Sequence, residues 1–178
     1  MTTWREQVLE QLVFWWDFSF WPRMQGLTDE EYLWCPAPDC WTVRPHPDGG
    51  FVLDDEWPPP EPAPVTSIAW RLCHIGSGVF ADRNANHFGG PRWDRNGRAW
   101  PGTADAALAW VKDGYQRWCS NIAGLADEEL ERPVGPLEGF PASPMYGLVL
   151  HISRETIHHG AEVCLLRDLY RAWVRTSA

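Results

Sequence analysis

Residues 151–170 read HISRETIHHGAEVCLLRDLY. In a helix, positions four apart share a face. His151, Glu155 and His159 therefore form a slowly turning stripe, and Glu155 and His159 can reach one target. His158 points about 100° around the helix from His159. Glu162 and Val163 lead the stripe back to Leu166. Burying a glutamate or a histidine unpaired is costly, so this stripe is either a hydrogen-bonded pair or half of a metal site.

The stretch lies inside PMYGLVLHISRETIHHGAEVCLLRDLYRAWV, residues 144–174, which the apolar spacing predicts as a long helix. Three more long helices are predicted. Residues 4–20 carry Val8, Leu12 and Trp15 or Trp16 at helical spacing, and Pro22 should end or bend that helix. Residues 66–88 begin with a capping Thr66 or Ser67. Residues 103–125 present Leu108, Val111, Tyr115, Trp118 and Ile122 as one stripe. A short helix over 28–34 starts at a capping threonine. Residues 35–65 are dense in proline, which excludes helix, although CWTVR and FVLDD flank PHPDGG as a small β-hairpin would. The expected fold is all-α. It is a four-helix bundle in one domain over 1–178, with a long proline-rich loop and a small hairpin between the first and second long helices.

Polar groups facing into a bundle are where metal sites are built. On the second long helix, Ile68, Leu72, Ile75 and Val79 track the core. His74, Gly78 and Ala81 form a neighbouring line, a histidine followed by small residues that leave room beside it. His74, Glu155 and His159 are thus the candidate metal ligands. Two histidines and a carboxylate form a recognised ligand set for zinc or iron with positions left open. His151 is the candidate for closing the site as a fourth ligand. Asp82, His87 and His151 are candidate bases, with helix capping or solvent exposure the simpler role for His87. Cys35 and Cys40 could form half of a zinc site, but nothing in the sequence completes it. Buried thiols are the simpler reading.

The formal net charge is −9, which argues against nucleic-acid binding and against an anionic membrane surface. No run of 18 apolar residues exists, and MTTWREQVLEQL lacks the pattern of a secretory signal. A cytoplasmic location with five reduced cysteines is expected. The 13 tryptophans are spread along the chain, so core packing accounts for them better than a repeat does.

IAWRLCHIG, followed much later by HISRETIHHGAEVCLLRDLY, resembles the DinB/YfiT-like superfamily of four-helix-bundle metalloproteins. Within it, the chain is most similar to the branch of mycothiol-dependent maleylpyruvate isomerases. The resemblance implies a ligand histidine on the second long helix, the place of His74, and two ligands four apart on the last. Many members have histidine at both; the isomerase branch has glutamate first, as in Glu155 and His159. It implies that His158 is the neighbour in a double-histidine signature and not a ligand. One divalent ion, zinc or nickel, is then expected, with mycothiol or another low-molecular-weight thiol as a further cofactor. The implied function is a thiol-dependent transferase or isomerase acting on a small molecule. The alternatives are a metal-dependent hydrolase and a non-enzymatic metal-binding bundle, with homodimerisation through helix faces. Arg71, Arg83, Arg92, Arg95 and Arg98 are candidate donors for the anionic groups of a thiol.

Overall fold

The computed structural model describes residues 3–177. Four long helices are present. Helix α1 joins Trp4–Trp15, a π turn Trp16–Phe20 and Trp21–Met24. Thr3 starts it with a capping box, accepting from the Glu6 amide while Glu6 Oε2 accepts from the Thr3 amide at 2.7 Å. Helix α2 is short, Asp29–Leu33, capped by Thr28. Helix α3 joins Ile68–His74, a π turn Ile75–Ala81 and Asp82–Phe88, and Ser67 caps it. Helix α4 is Ala104–Ala123, capped by Thr103. A single turn, α5 (Asp127–Leu130), precedes α6, Met145–Ser177. Two short strands, β1 (Val43–Pro45) and β2 (Phe51–Leu53), pair antiparallel with Val43 opposite Leu53, as the PHPDGG turn requires. The fold is an all-α bundle with one small hairpin.

Named contacts fix the directions of the helices. Trp4 meets Tyr146, and Arg23 pairs with Asp168 at 2.8 Å, so α1 and α6 run parallel. Arg5 donates to the Leu125 carbonyl while Trp16 stacks on Tyr115 at 3.9 Å, so α1 and α4 run antiparallel. The would-be Cβ of Gly76 meets Trp110, and Phe88 meets Trp118, so α3 and α4 run parallel. Arg71 pairs with Glu162 and His74 faces His159, so α3 and α6 run antiparallel within the cleft they share. The order along the chain is therefore up, down, down, up. The parallel α3–α4 pair forces residues 89–103 to return along the bundle. An extended chain covers roughly 3.3 Å per residue against about 1.5 Å in a helix, so that segment suffices.

Helix α1 continues past Pro22 to Met24, whereas the sequence suggests an end or bend at the proline. The π turn resets the hydrogen-bond register just before it, so Pro22 falls in the first turn of a new α segment, where its missing N–H costs little. The same turn lets Trp16, Phe20 and Met24 all face the core.

The core carries one buried ion pair. Arg167 of α6 is 1 % exposed and Glu31 of α2 is 4 % exposed. They pair through Arg167 Nε to Glu31 Oε1 at 2.7 Å and Nη2 to Oε2 at 2.8 Å. Arg167 Nη1 also donates to the backbone carbonyls of Arg23 and Gln25. One guanidinium thus joins the end of α1, the short helix α2 and the last helix. Removing one member of a buried pair strands the other charge and costs about 3–5 kcal/mol. Glu31→Ala should lower the urea-unfolding free energy by about that amount, while Glu30→Ala, on the exposed side of the same helix, leaves it nearly unchanged.

Candidate functional site

His74 closes the first α segment of α3, immediately before the π turn. The turn is rich in small residues, Gly76-Ser77-Gly78, and each has a visible reason. A Cβ at Gly76 would collide with the Trp110 ring. Ser77 Oγ donates back to the Cys73 carbonyl at 2.8 Å. A Cβ at Gly78 would stand 3.1 Å from Arg95 Nη2 and 3.8 Å from His74 Cε1. Such π turns often occur at functional sites.

The sequence-predicted trio comes together. His74, Glu155 and His159 each offer a ligand atom, and the three atoms lie within 4.8 Å of one another. The imidazoles of His74 and His159 meet edge-on, with centroids 4.6 Å apart. Glu155 Oε2 lies 3.5 Å from His159 Nε2. Such a set of two imidazoles and one carboxylate fits a divalent ion of the zinc or iron type.

Hydrogen bonds on the far side of His159 decide which of its nitrogens is free. Glu162 Oε2 lies 2.8 Å from His159 Nδ1, and Arg71 Nε holds the same oxygen at 3.1 Å. Arg71 Nη1 also approaches Nδ1, at 3.4 Å, but the shorter contact to the Glu162 carboxylate favours the proton on Nδ1, which leaves Nε2 as a lone pair on the side of Glu155. A carboxylate behind a histidine in this way fixes the ring and raises its basicity as a ligand. In the sequence Glu162 reads only as a position on the stripe; its spacing of three from His159 is the signal for this role. Glu162 also completes a second group of three with His158 and His159. That group is the weaker candidate, because His158 is 64 % exposed at its side chain and approaches Glu162 only to 3.4 Å. His74 belongs solely to the first.

The His74 ring is also held from outside the helices. Trp70 stacks on it with centroids 5.5 Å apart and the planes 4° from parallel. The Trp70 indole N–H donates to the Asp54 carbonyl at 2.8 Å. Asp54 follows β2, and its carboxylate accepts from the Thr42 amide at 2.9 Å and from Arg44. The hairpin in the proline-rich segment therefore supports the ring of a candidate ligand.

On the other side His74 and Glu155, but not His159, border a cleft of about 190 Å³ between α3 and α6, which Gly78, Asp82, Arg83, Arg95 and His151 also line. His151 does not join the cluster. Its Nδ1 sits 2.6 Å from Arg154 Nη2 and 3.5 Å from Glu155. His87 is not a cap or a solvent-exposed group. Its side chain is 3 % exposed and bonds Glu138 Oε1 at 2.9 Å, because residues after α5 fold over the end of α3 and supply the carboxylate. Ala81 lines a larger cleft of about 910 Å³ on the opposite side of α3, among Asn84, Phe88, Trp93 and Trp110. Size alone would favour that cleft, but no potential metal-ligand group borders it among the described residues. Two of the candidate ligands, His74 and Glu155, line the smaller one. Cys35 and Cys40 are free thiols outside both ligand groups, the first exposed and the second buried. Burial pushes the Cys40 thiol up to about 12.

Burial, then the neighbouring His159, Arg71 and Arg95, lower the His74 pKa to about 4 against the pull of Glu155. Burial works against the Glu155 carboxylate, but His151, Arg154 and His159 hold its pKa below the usual range. At neutral pH the site thus offers an uncharged imidazole and an ionised carboxylate. The unfolded chain takes up the His74 proton near pH 6.5 and the folded protein only near 4. Between those values the unfolded state binds more protons, so stability falls as pH drops from about 6.5 towards 4. Thermal melts of metal-free protein across that range should show the loss, and His74→Asn should flatten it.

A profile of the DinB superfamily matches residues 52–163, a span that contains His74, Glu155 and His159. No curated protein and no solved structure gives a significant match. The family match covers more than half of the 178 residues and falls on the helices that carry the trio. The chain belongs to the DinB superfamily, whose members often bind metal.

Proposed function

We propose that the protein is a divalent-metal-dependent enzyme that works with a low-molecular-weight thiol, as a transferase or isomerase. His74, Glu155 and His159 would hold the ion, zinc or nickel. The observation that carries this reading is the convergence of three ligand atoms, two of whose residues, His74 and Glu155, line a cleft, with no fourth side-chain ligand joining them among the described residues. A structural site is closed by protein ligands, whereas a catalytic one keeps a position open. A divalent ion held there would lower the pKa of a thiol or water that reaches it.

The chain's own residues prepare that chemistry. Glu162 and Arg71 fix the tautomer and angle of His159. Trp70 holds the His74 ring in plane. Glu155 brings one negative charge, so a thiolate entering the site would meet a net positive centre. The glutamate at the first position of the last-helix pair supports the maleylpyruvate isomerase-like branch over the form with two histidines there. The acidic chain supports a small-molecule partner and no nucleic acid. Among the described residues no helix is long and apolar enough to cross a membrane, and we place the protein in the cytoplasm. Homodimerisation would use exposed apolar residues such as Phe14, Phe18 and Leu165.

Metal-assisted hydrolysis is the second reading, and His151 favours it. His151 borders the cleft beside Glu155, where it could take a proton. Asp82 and His87 are less suited, since Asp82 is paired with Arg95 and His87 is sealed against Glu138.

Elemental analysis of untagged protein should find about one divalent ion per chain, on the basis of the ligand set. His74→Ala and His159→Ala should abolish stoichiometric binding, and Glu155→Gln should weaken it. Glu162→Gln, which removes the carboxylate charge shared by His159 and Arg71, should cost roughly 10–100-fold in affinity. His158→Ala should cost much less. Metal loss in His158→Ala but not in His74→Ala would transfer the site to the second group.

A further inference from the structure

The cleft beside the trio has a cationic wall, and the five candidate arginines do not share it equally. The Arg71 guanidinium is engaged behind His159, on Glu162. Arg83 also borders the cleft; its Nε pairs with Glu138 Oε2 at 3.2 Å, and no hydrogen bond takes its other N–H groups among the described residues. Arg98 pairs with Asp48 at 3.2 Å on the hairpin turn. Arg92 lines the other, larger cleft. Arg83 and Arg95 both reach the cleft with donors unused, and of the two it is Arg95 whose guanidinium lies with the His74 ring around the bare Cα of Gly78. Arg95 Nη2 donates to Asp82 Oδ2 at 2.8 Å, and no other partner takes its guanidinium N–H groups among the described residues.

Arg95 comes from the segment that returns along the bundle between α3 and α4, and its position is held at both ends. The Trp100 indole N–H donates to its carbonyl at 3.3 Å. Asp82, two turns along α3 from His74, holds the tip. Gly78 lies between His74 and Asp82. The space its missing side chain leaves has Arg95 Nη2 on one side, at 3.1 Å, and the His74 ring on the other, at 3.8 Å. A side chain at 78 would crowd the arginine and reach the imidazole. The sequence thus keeps open a direct line between a fixed guanidinium and the ligand cluster.

Resting on the metal-dependent reading above, the geometry points to Arg95 as the residue that recognises a carboxylate on a small ligand whose other end occupies the open metal position. A guanidinium presents parallel N–H donors matched to a carboxylate. Asp82 orients the fork and leaves its remaining donors free. At about 190 Å³ the cleft has room for about six water-sized groups, which suits a carboxylate two or three carbons from the ligating atom. The carboxylate would belong either to the thiol or to the molecule it attacks; the recognition chemistry is the same.

The test uses full-length protein loaded with cobalt(II), whose visible spectrum reports sulfur binding. Wild-type and Arg95→Gln protein are titrated with 3-mercaptopropionate and with the uncharged 2-mercaptoethanol. Wild type should bind the carboxylate-bearing thiol more tightly. Arg95→Gln should lose about tenfold for that thiol, one charge-assisted pair, while keeping cobalt stoichiometry and 2-mercaptoethanol affinity. Arg95→Lys, which keeps the charge and loses the fork, should recover part of the preference. Titration with lactate and propanol tells a carboxylate on the substrate from one on the thiol, and a dependence on Arg95 in either series supports the assignment. Equal losses for charged and uncharged ligands, or no preference in wild type, would overturn the role of Arg95 while leaving the metal reading intact. Failure of wild type to bind cobalt would overturn both.

Discussion

The antiparallel seam between α3 and α6 is the constraint on which the rest of the molecule depends. Arg71 meets Glu162, His74 meets His159, and the cleft brings Asp82 and Gly78 alongside His151 and Glu155. Each step forward on one helix is matched by an equal step back on the other. Polar side chains on a core-facing stripe are tolerable only when they find partners, and this register pairs Glu162 with Arg71 and His159 while His74 rests on the Trp70 ring with its nitrogens uncommitted among the described residues. A slip of one turn would set His74 against Val163 in one direction or Glu155 in the other, and either would leave Glu162 without Arg71. The seam therefore fixes the site and also selects the helix register.

Several features outside the seam hold it in place. Arg167 and Glu31 join α2 and the end of α1 to the last helix. The hairpin, an insertion rich in proline, reaches back through Asp54 and Trp70 to the His74 ring. The parallel placement of α3 and α4 requires a long return segment, and that segment delivers Arg95 to the cleft. Elements that look like connections thus carry residues bordering the site.

Much of this was legible in the sequence, for physical reasons that differ by element. The four helices follow from apolar spacing and capping residues, and Thr3, Thr28, Ser67 and Thr103 cap as their chemistry suggests. The convergence of His74, Glu155 and His159 as a candidate ligand group was legible because helical spacing and a family resemblance agreed. The π turns were not. They arise where a helix widens to fit a neighbour, as Gly76 does against Trp110, and a periodicity of 3.6 residues carries no trace of that. The burial of His87 depends on Glu138, 51 residues away, and Trp70 reached its role through a backbone carbonyl on the hairpin. Glu162 could have been found, since a carboxylate three residues from a ligand histidine is well placed to orient it.

X-ray absorption at the metal edge of zinc-loaded, untagged protein tests the central claim most directly. The account predicts one ion per chain with nitrogen and oxygen neighbours only, the multiple-scattering signature of two imidazoles, and loss of one imidazole contribution in His74→Ala. Sulfur in the coordination sphere would place the ion at Cys35 and Cys40 instead. An unchanged spectrum in His74→Ala would place it on the exposed face of α6, and either result would contradict a site built on the α3–α6 seam.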